Sequence, residues 1–348
     1  MSDNVQMKVS HSFPGYSEGV VEAATRALQD GCFSGDRLKV EVEARLASFT
    51  HAGYAQVTGS GFAALQAALA AAGVRAAEKV IVPVVTCPSV YHAVRSLGAE
   101  PVLMDVGTEL PLLDADRFSA DITGARFVIA PHMFGLSVDL LPLHERDLII
   151  IEDCAQRQRP ERDPLAAVSV YSFSPTKLQT MGYGGGVVTD NATVHNRIQC
   201  FLSPDEAEQG GAVDDLPFRI HAPVADFQCA MLLAQLDRYQ DTITRRQVWV
   251  EEYDRQLGDL QRLQTDVPFR YLLRLPEGRS APELAQALQQ CGVSAWPLAS
   301  QLLHRTLKLS GDYPNAERWQ QQLLSLPLHE GLEQTSVNYV CRQLLALL

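Results

Sequence analysis

Residues 168–177 read Val-Ser-Val-Tyr-Ser-Phe-Ser-Pro-Thr-Lys, and after Leu178-Gln-Thr-Met181 the chain continues Gly182-Tyr-Gly-Gly-Gly-Val-Val-Thr189. An apolar strand ends in a Ser/Thr/Pro-rich turn that presents one lysine, and a glycine-rich loop leads into a second strand. Lys177 is the only lysine between Lys79 and Lys308. Partial burial lowers an amine's pKa and makes it nucleophilic, which suits imine chemistry. Taken alone, the same letters fit a solvated surface lysine equally well.

Just upstream lies Ile149-Ile-Ile-Glu152-Asp153-Cys154-Ala155-Gln156. A buried strand ends there in two acids, and ligand sites in open α/β sheets gather at the carboxyl ends of strands. A carboxylate at that place can keep a heteroaromatic nitrogen protonated. Alternatively, Glu152 and Asp153 only cap a following helix. Further back, Thr58-Gly59-Ser60-Gly61-Phe62-Ala63-Ala64-Leu65 makes a Gly/Ser turn opening a helix. The free N–H groups of such a turn form an anion site. It is neither a Walker loop nor GxGxxG, and many strand–helix turns need glycine.

The flanking pattern places these stretches in one architecture. Short apolar strands at 54–57, 79–82, 102–105, 127–130, 148–151, 168–173 and 187–189 alternate with helices at 17–30, 38–49, 62–72 and 89–97. Val/Ile runs without polar alternation argue for an α/β sheet, mostly parallel and covered on both faces. After about residue 200 the texture changes. An acidic, loop-like segment (204–217) precedes helices at 227–239 and 242–257. A small α+β unit follows, with strands at 269–275 and 293–296 and helices at 281–290, 315–325 and 335–347. The reading divides the chain into a large α/β domain, residues 1–240, and residues 241–348, a linking helix plus a small α+β domain.

The 348 residues are 46% hydrophobic and 20% charged, ordinary for a globular chain and unlike a disordered one or a rod. A net charge of -12 argues against a nucleic-acid-binding face or an anionic-membrane surface. No apolar run approaches ~20 residues, so no membrane span is expected. Seven scattered cysteines without a CxxC pair, and a polar start, fit reduced thiols in a cytoplasm. Nine dispersed histidines show no paired metal spacing, and no metal is expected.

Taken together, an anion cradle at a helix N-terminus, a strand-end Asp and a lysine after a Ser-containing turn are what pyridoxal phosphate requires. The sequence resembles the DegT/DnrJ/EryC1/StrS family of pyridoxal-phosphate-dependent aminotransferases nearly end to end. Residues 60–69, SGFAALQAAL, resemble its SGTxALxxAL. Residues 98–105 resemble its GaxPVfxDv, residues 132–139 its HlyGxxxD, and residues 152–156 its EDxAQ. Ser172-Phe173 with Lys177 and the glycines resemble SFxxxKxxxxGxGG. Residues 218–236 and the tail stretches 314–317 and 326–329 also correspond.

The resemblance implies fold type I, a large mostly parallel sheet domain plus a small C-terminal α+β domain, and pyridoxal 5'-phosphate as cofactor. It implies that Lys177 forms the Schiff base, Asp153 pairs with the pyridinium nitrogen and Gln156 contacts the ring's 3-oxygen. Ser172 and the turn at Ser60, Gly61 and Phe62 would hold the phosphate. It further implies a homodimer with sites at the subunit interface, where Arg219 and Tyr183 would serve substrate or partner.

Four positions depart from the family pattern. Phe62 stands for Thr, Cys87 for the aromatic stacked on the cofactor (with Tyr91 a helical turn on), Pro217 for an Asn that reaches across the dimer, and Tyr183 for a Glu. The implied activity is transfer of an amino group from glutamate or glutamine to a keto acceptor such as a nucleotide-linked keto-sugar. The alternatives are elimination or dehydration on the same scaffold, whose sugar-dehydrating members carry His in place of the lysine, and a non-catalytic binding subunit.

Overall fold

The computed structural model describes residues 7–13, 16–33, 36–118, 122, 124–203, 216–299 and 302–348. Seven strands of five residues each build the main sheet: β1 (Tyr54–Thr58), β2 (Lys79–Pro83), β3 (Glu100–Met104), β4 (Phe127–Pro131), β5 (Ile149–Asp153), β6 (Val168–Ser172) and β7 (Gly185–Thr189). Their order is β1-β7-β6-β5-β4-β2-β3. All point the same way except β7, which runs antiparallel to both its neighbours.

The unbroken apolar runs have a direct cause, because successive side chains of a strand face opposite sides and both sides are dry. Val80 and Val82 enter one core with Phe127, Ile129 and Ile151, whereas Ile81 enters the other with Val128 and Ile150. The helix Gly61–Ala72 is buried along Ala63–Ala71. Its alanines let it pack closely between the sheet and the helix Ala192–Leu202, which the sequence pattern did not reveal.

A second sheet of β8 (Gln261–Leu263), β9 (Tyr271–Arg274), β10 (Trp296–Pro297) and β11 (Leu323–Leu326) has the order β10-β11-β9-β8, antiparallel throughout. The helix expected over 315–325 covers Pro314–Gln322 and then stops. Leu323–Leu326 is instead an interior strand, fully buried, and pairing with β9 overrides its helical propensity. The strand expected at 293–296 reduces to Trp296–Pro297, and Val293 bridges Val9 in isolation. β8 has no counterpart among the expected strands. Of the acidic loop expected at 204–217, residues 204–215 lie outside the described residues.

The helix Tyr239–Leu257 packs Val250, Tyr253 and Leu257 against this second sheet. The sheet's unit also shares a core with the first: Leu263, Leu272, Trp319 and Leu323 cluster with Ile81 and Val128. Asp105, just past β3, accepts the N–H groups of Asn315 and Ala316 at 2.9 Å each, and Trp319 Nε1 donates to the Gly107 carbonyl at 2.9 Å. Among the described residues no helix is long and apolar enough to cross a membrane, and all seven cysteines are free thiols.

Candidate active site

Six strands end on one edge of the main sheet and β7 begins there, so the motifs far apart in sequence meet at that edge. The register puts Gly185 between Thr58 of β1 and Ser172 of β6. A Cβ on Gly61 would come within 2.9 Å of the Ser172 Cβ, and one on Gly185 within 2.7 Å of the Ser60 carbonyl carbon. The turn at Ser60-Gly61 therefore folds directly over the ends of β6 and β7, which only glycines allow. Ser60 caps the helix Gly61–Ala72. Its Oγ accepts the Ala63 N–H at 3.1 Å and its carbonyl accepts that of Ala64 at 3.0 Å. Among the described residues nothing takes the N–H groups of Gly61 and Phe62, which is the arrangement of an anion site. The Phe62 side chain itself is 36% exposed.

Lys177 sits on the loop joining β6 to β7. Its N–H donates to the Ser174 carbonyl at 3.0 Å, and Phe173 closes the loop by donating to Gly184 (2.9 Å) and accepting from Met181 (3.1 Å). Gln158 is buried under this loop. Its Nε2 donates to the Ser172 carbonyl (2.7 Å) and its Oε1 accepts the Gln179 N–H (2.8 Å), fixing the strand end to the lysine turn. No sequence signal marked Gln158 beyond its place two residues after Gln156.

Burial lowers the pKa of the Lys177 amine, opposed by the charge of Asp153 and reinforced by Arg270. Burial raises the pKa of Asp153, while the Ala155 N–H (2.9 Å to Oδ1) and the charge of Lys177 pull it back. Asp153 caps no helix, because a turn follows it. Gln156 Oε1 accepts the Phe134 N–H at 2.8 Å, which leaves its NH2 group to donate outward.

Glu152 points the opposite way from Asp153, into the core. Burial alone would raise its pKa. Hydrogen bonds from His132 (2.9 Å) and Ser169 (2.5 Å) and the charge of Arg157 (3.4 Å) outweigh that and hold it at about 2. His132 Nδ1 accepts the Val138 N–H at 2.9 Å, so the ring donates to Glu152 through Nε2. Burial lowers the His132 pKa in spite of the carboxylate, so the contact is a hydrogen bond from a neutral ring. His132, Glu152 and Cys154 lie as close together as the ligands of a metal ion would, yet both histidine nitrogens are already committed.

The remaining candidates from the sequence surround this edge unevenly. Cys87 caps the helix Pro88–Ser96, is exposed and lies near enough to Lys177 to influence its charge. Beside it Thr86 is buried, and its Oγ1 has no partner among the described residues. Tyr183 is 70% exposed, and its carbonyl accepts from Gln228 Nε2 at 2.7 Å. Arg219 lies half-buried on the segment that returns to the Ser60 turn, where Gly59 N–H meets the Ala222 carbonyl at 3.0 Å.

A reversed seventh strand, a half-buried lysine in the loop before it and an aspartate ending a nearby parallel strand define a fold type I pyridoxal-phosphate enzyme of the aminotransferase class. The residues fit that group: an open helix N-terminus for a phosphate, an unpartnered hydroxyl at Thr86 and a free amide donor on Gln156. Residues 16–345 match the DegT/DnrJ/EryC1/StrS aminotransferase family, and the chain belongs to it. It is 29% identical over 258 residues to an L-glutamine:2-deoxy-scyllo-inosose aminotransferase of Streptomyces kanamyceticus, an alignment spanning 65% of this chain and 60% of that protein. It is 25% identical to the GDP-perosamine synthase of Escherichia coli O157:H7 over 87% of this chain and 88% of that one. Its structure is similar to a putative sugar aminotransferase from Streptococcus pneumoniae in its PMP form. The TM-score there is 0.86 at 22% identity, covering 98% and 99% of the two chains.

Proposed function

We propose that the protein moves an amino group from glutamate or glutamine to the keto carbon of a nucleotide-linked sugar, using pyridoxal phosphate held at Lys177. The observation that carries this reading is the meeting of Lys177 and Asp153 at one strand-end edge, with burial shifting the amine down and the acid up. The nucleotide sugar is favoured over a cyclitol ketone because the relative named for a GDP-sugar aligns along most of its length, and the one named for an inosose along 60%.

When bound, the cofactor supplies an electron-withdrawing ring that stabilises negative charge at the substrate's α-carbon. The chain's residues do the rest. The N–H groups of Gly61 and Phe62, with Ser60 and Ser172 alongside, hold the phosphate. Asp153 retains the ring-nitrogen proton, and the Gln156 NH2 donates to the ring oxygen. Lys177 would hold the aldehyde end and, when free, would remove and return a proton as base and acid, and burial lowers its pKa from the ordinary lysine range. The glycines after Lys177 let the loop close over the strand ends. Cys87 would cover a face of the ring. Two copies would complete the site, with Tyr183 and Arg219 serving substrate or the partner. The division of the chain near residue 240 belongs to the same reading.

Absorbance of the purified protein with pyridoxal phosphate, before and after L-glutamate or L-glutamine, tests it. A visible band should form and then give way to the amine form, and Lys177→Ala should show neither. Transamination retained by Lys177→Ala would sink the assignment. Product released from a keto-sugar nucleotide without any amino donor would move the reaction to elimination.

A further inference from the structure

Arg270 immediately precedes β9, and the fold delivers it to the lysine. Gly135 is left-handed (φ +89°), and a Cβ there would strike the Val267 carbonyl oxygen; with glycine, Val267 N–H reaches the Gly135 carbonyl at 3.1 Å. Residues 267–269 are thus laid against the turn whose Phe134 N–H holds Gln156. Phe269 is buried with Leu178, the residue after Lys177. The Phe269 ring carries both cations: the Arg270 guanidinium 4.1 Å from its centroid and Lys177 Nζ 5.9 Å from it.

Among the described residues the guanidinium has no anionic partner. Its hydrogen bond goes to the adjacent Phe269 carbonyl at 3.2 Å, an oxygen that Arg246 also approaches at 3.4 Å. The titratable groups facing it are Arg246, Lys177, His11 and His329, all basic. Glu330 pairs with Arg238 and faces Arg246. Among the described residues no carboxylate answers Arg270. Burial and Arg246 together push its pKa down to about 9. Arg270 is half-buried, so its remaining donors open toward the cleft, and a guanidinium surrounded by basic groups alone is poised for a ligand anion.

We propose that Arg270 binds the α-carboxylate of the amino donor and so selects an amino acid over a simple amine. This rests on the aminotransferase reading above. The planar fork of a guanidinium matches a carboxylate in two-point contact. The donor's carboxylate is one bond from the carbon whose nitrogen must reach the Lys177 position, so its anion site has to lie beside Lys177. The phosphate cradle at Gly61 and Ser172 is a separate place, already supplied with donors.

The test compares the parent protein with Arg270→Gln and Arg270→Lys, all loaded with pyridoxal phosphate. The L-glutamate concentration that half-converts the cofactor's visible absorbance should rise about 10- to 100-fold in Arg270→Gln, the scale of losing a charge-assisted hydrogen-bonded pair, and less in Arg270→Lys. The response to methylamine, which has no carboxylate, should stay within about twofold. Calorimetry on the unloaded chain should show glutarate binding weakened by a comparable factor and UDP binding unchanged. A glutamate response within twofold of the parent would overturn the proposal. So would an equal shift for methylamine, which would make Arg270 a modulator of the lysine, or a loss confined to UDP, which would assign the anion to the acceptor. Failure of the parent to convert with any amino acid would count against the aminotransferase reading instead, while the glutarate arm still reports on the anion site.

Discussion

Replacing Gly185 with alanine should separate the cofactor cradle from the strands beneath it. The new methyl would lie 2.7 Å from the Ser60 carbonyl carbon and 2.9 Å from Gly61 Cα, against an ordinary carbon–carbon separation of about 3.5–4.0 Å. Both neighbours are backbone, so no side chain can rotate aside. Either β7 or the Ser60–Gly61 turn must move by roughly 0.8 Å. A shift of that size misaligns the free N–H groups of Gly61 and Phe62 and forfeits about one charge-assisted hydrogen bond, ~1.5–3 kcal/mol. Pyridoxal phosphate should then bind about 10- to 100-fold more weakly, and overpacking should lower stability by about 1–3 kcal/mol. Titration of the unloaded protein with cofactor, followed by absorbance, measures the first; urea denaturation measures the second. Gly53→Ala is the control, since its methyl would meet Asp190 at an ordinary 3.6 Å. Cofactor affinity within twofold of the parent in Gly185→Ala would refute the claim that this turn is the phosphate site.

Two further outcomes follow from the buried charges. Glu152, held at about 2 against an ordinary 4.5, contributes stability that is present above about pH 4.5 and lost as pH falls toward 2, about 3 kcal/mol at most. Glu152→Gln should flatten that acid limb in denaturation curves. At pH 7 the variant should also lose ~3–5 kcal/mol, because Arg157 stays buried without its partner; an unchanged acid limb would contradict the assignment. Because burial lowers the Lys177 pKa, an amine-reactive reagent should label Lys177 of the unloaded protein with a pH midpoint below the ordinary lysine value of about 10.4. Mass spectrometry of the Lys177 peptide reads the midpoint, and a value at or above the ordinary one would contradict a desolvated amine.

The legible part of this protein is local. Val80-Ile-Val82, Phe127-Val-Ile-Ala130 and Ile149-Ile-Ile151 read as strands dry on both faces because the information lies within a few adjacent residues. The lysine turn with its glycines and Glu-Asp-Cys-Ala-Gln (152–156) are legible for the same reason, and their resemblance to one family carries the expected roles onto numbered residues. Leu323–Leu326 defeats such a reading because its letters favour a helix, and only pairing with β9 makes it a strand. The reversal of β7 has no local mark, and it is what brings Gly185 under Ser60. Glu152 and Asp153 are adjacent letters with opposite fates, since alternate faces of β5 send one to Arg157 in the core and the other to the lysine. Arg270 stands 93 residues from Lys177 in the chain. Composition and periodicity report on neighbours along the backbone; a charge becomes a binding group only when distant segments exclude water around it, and that was decided by the tertiary fold.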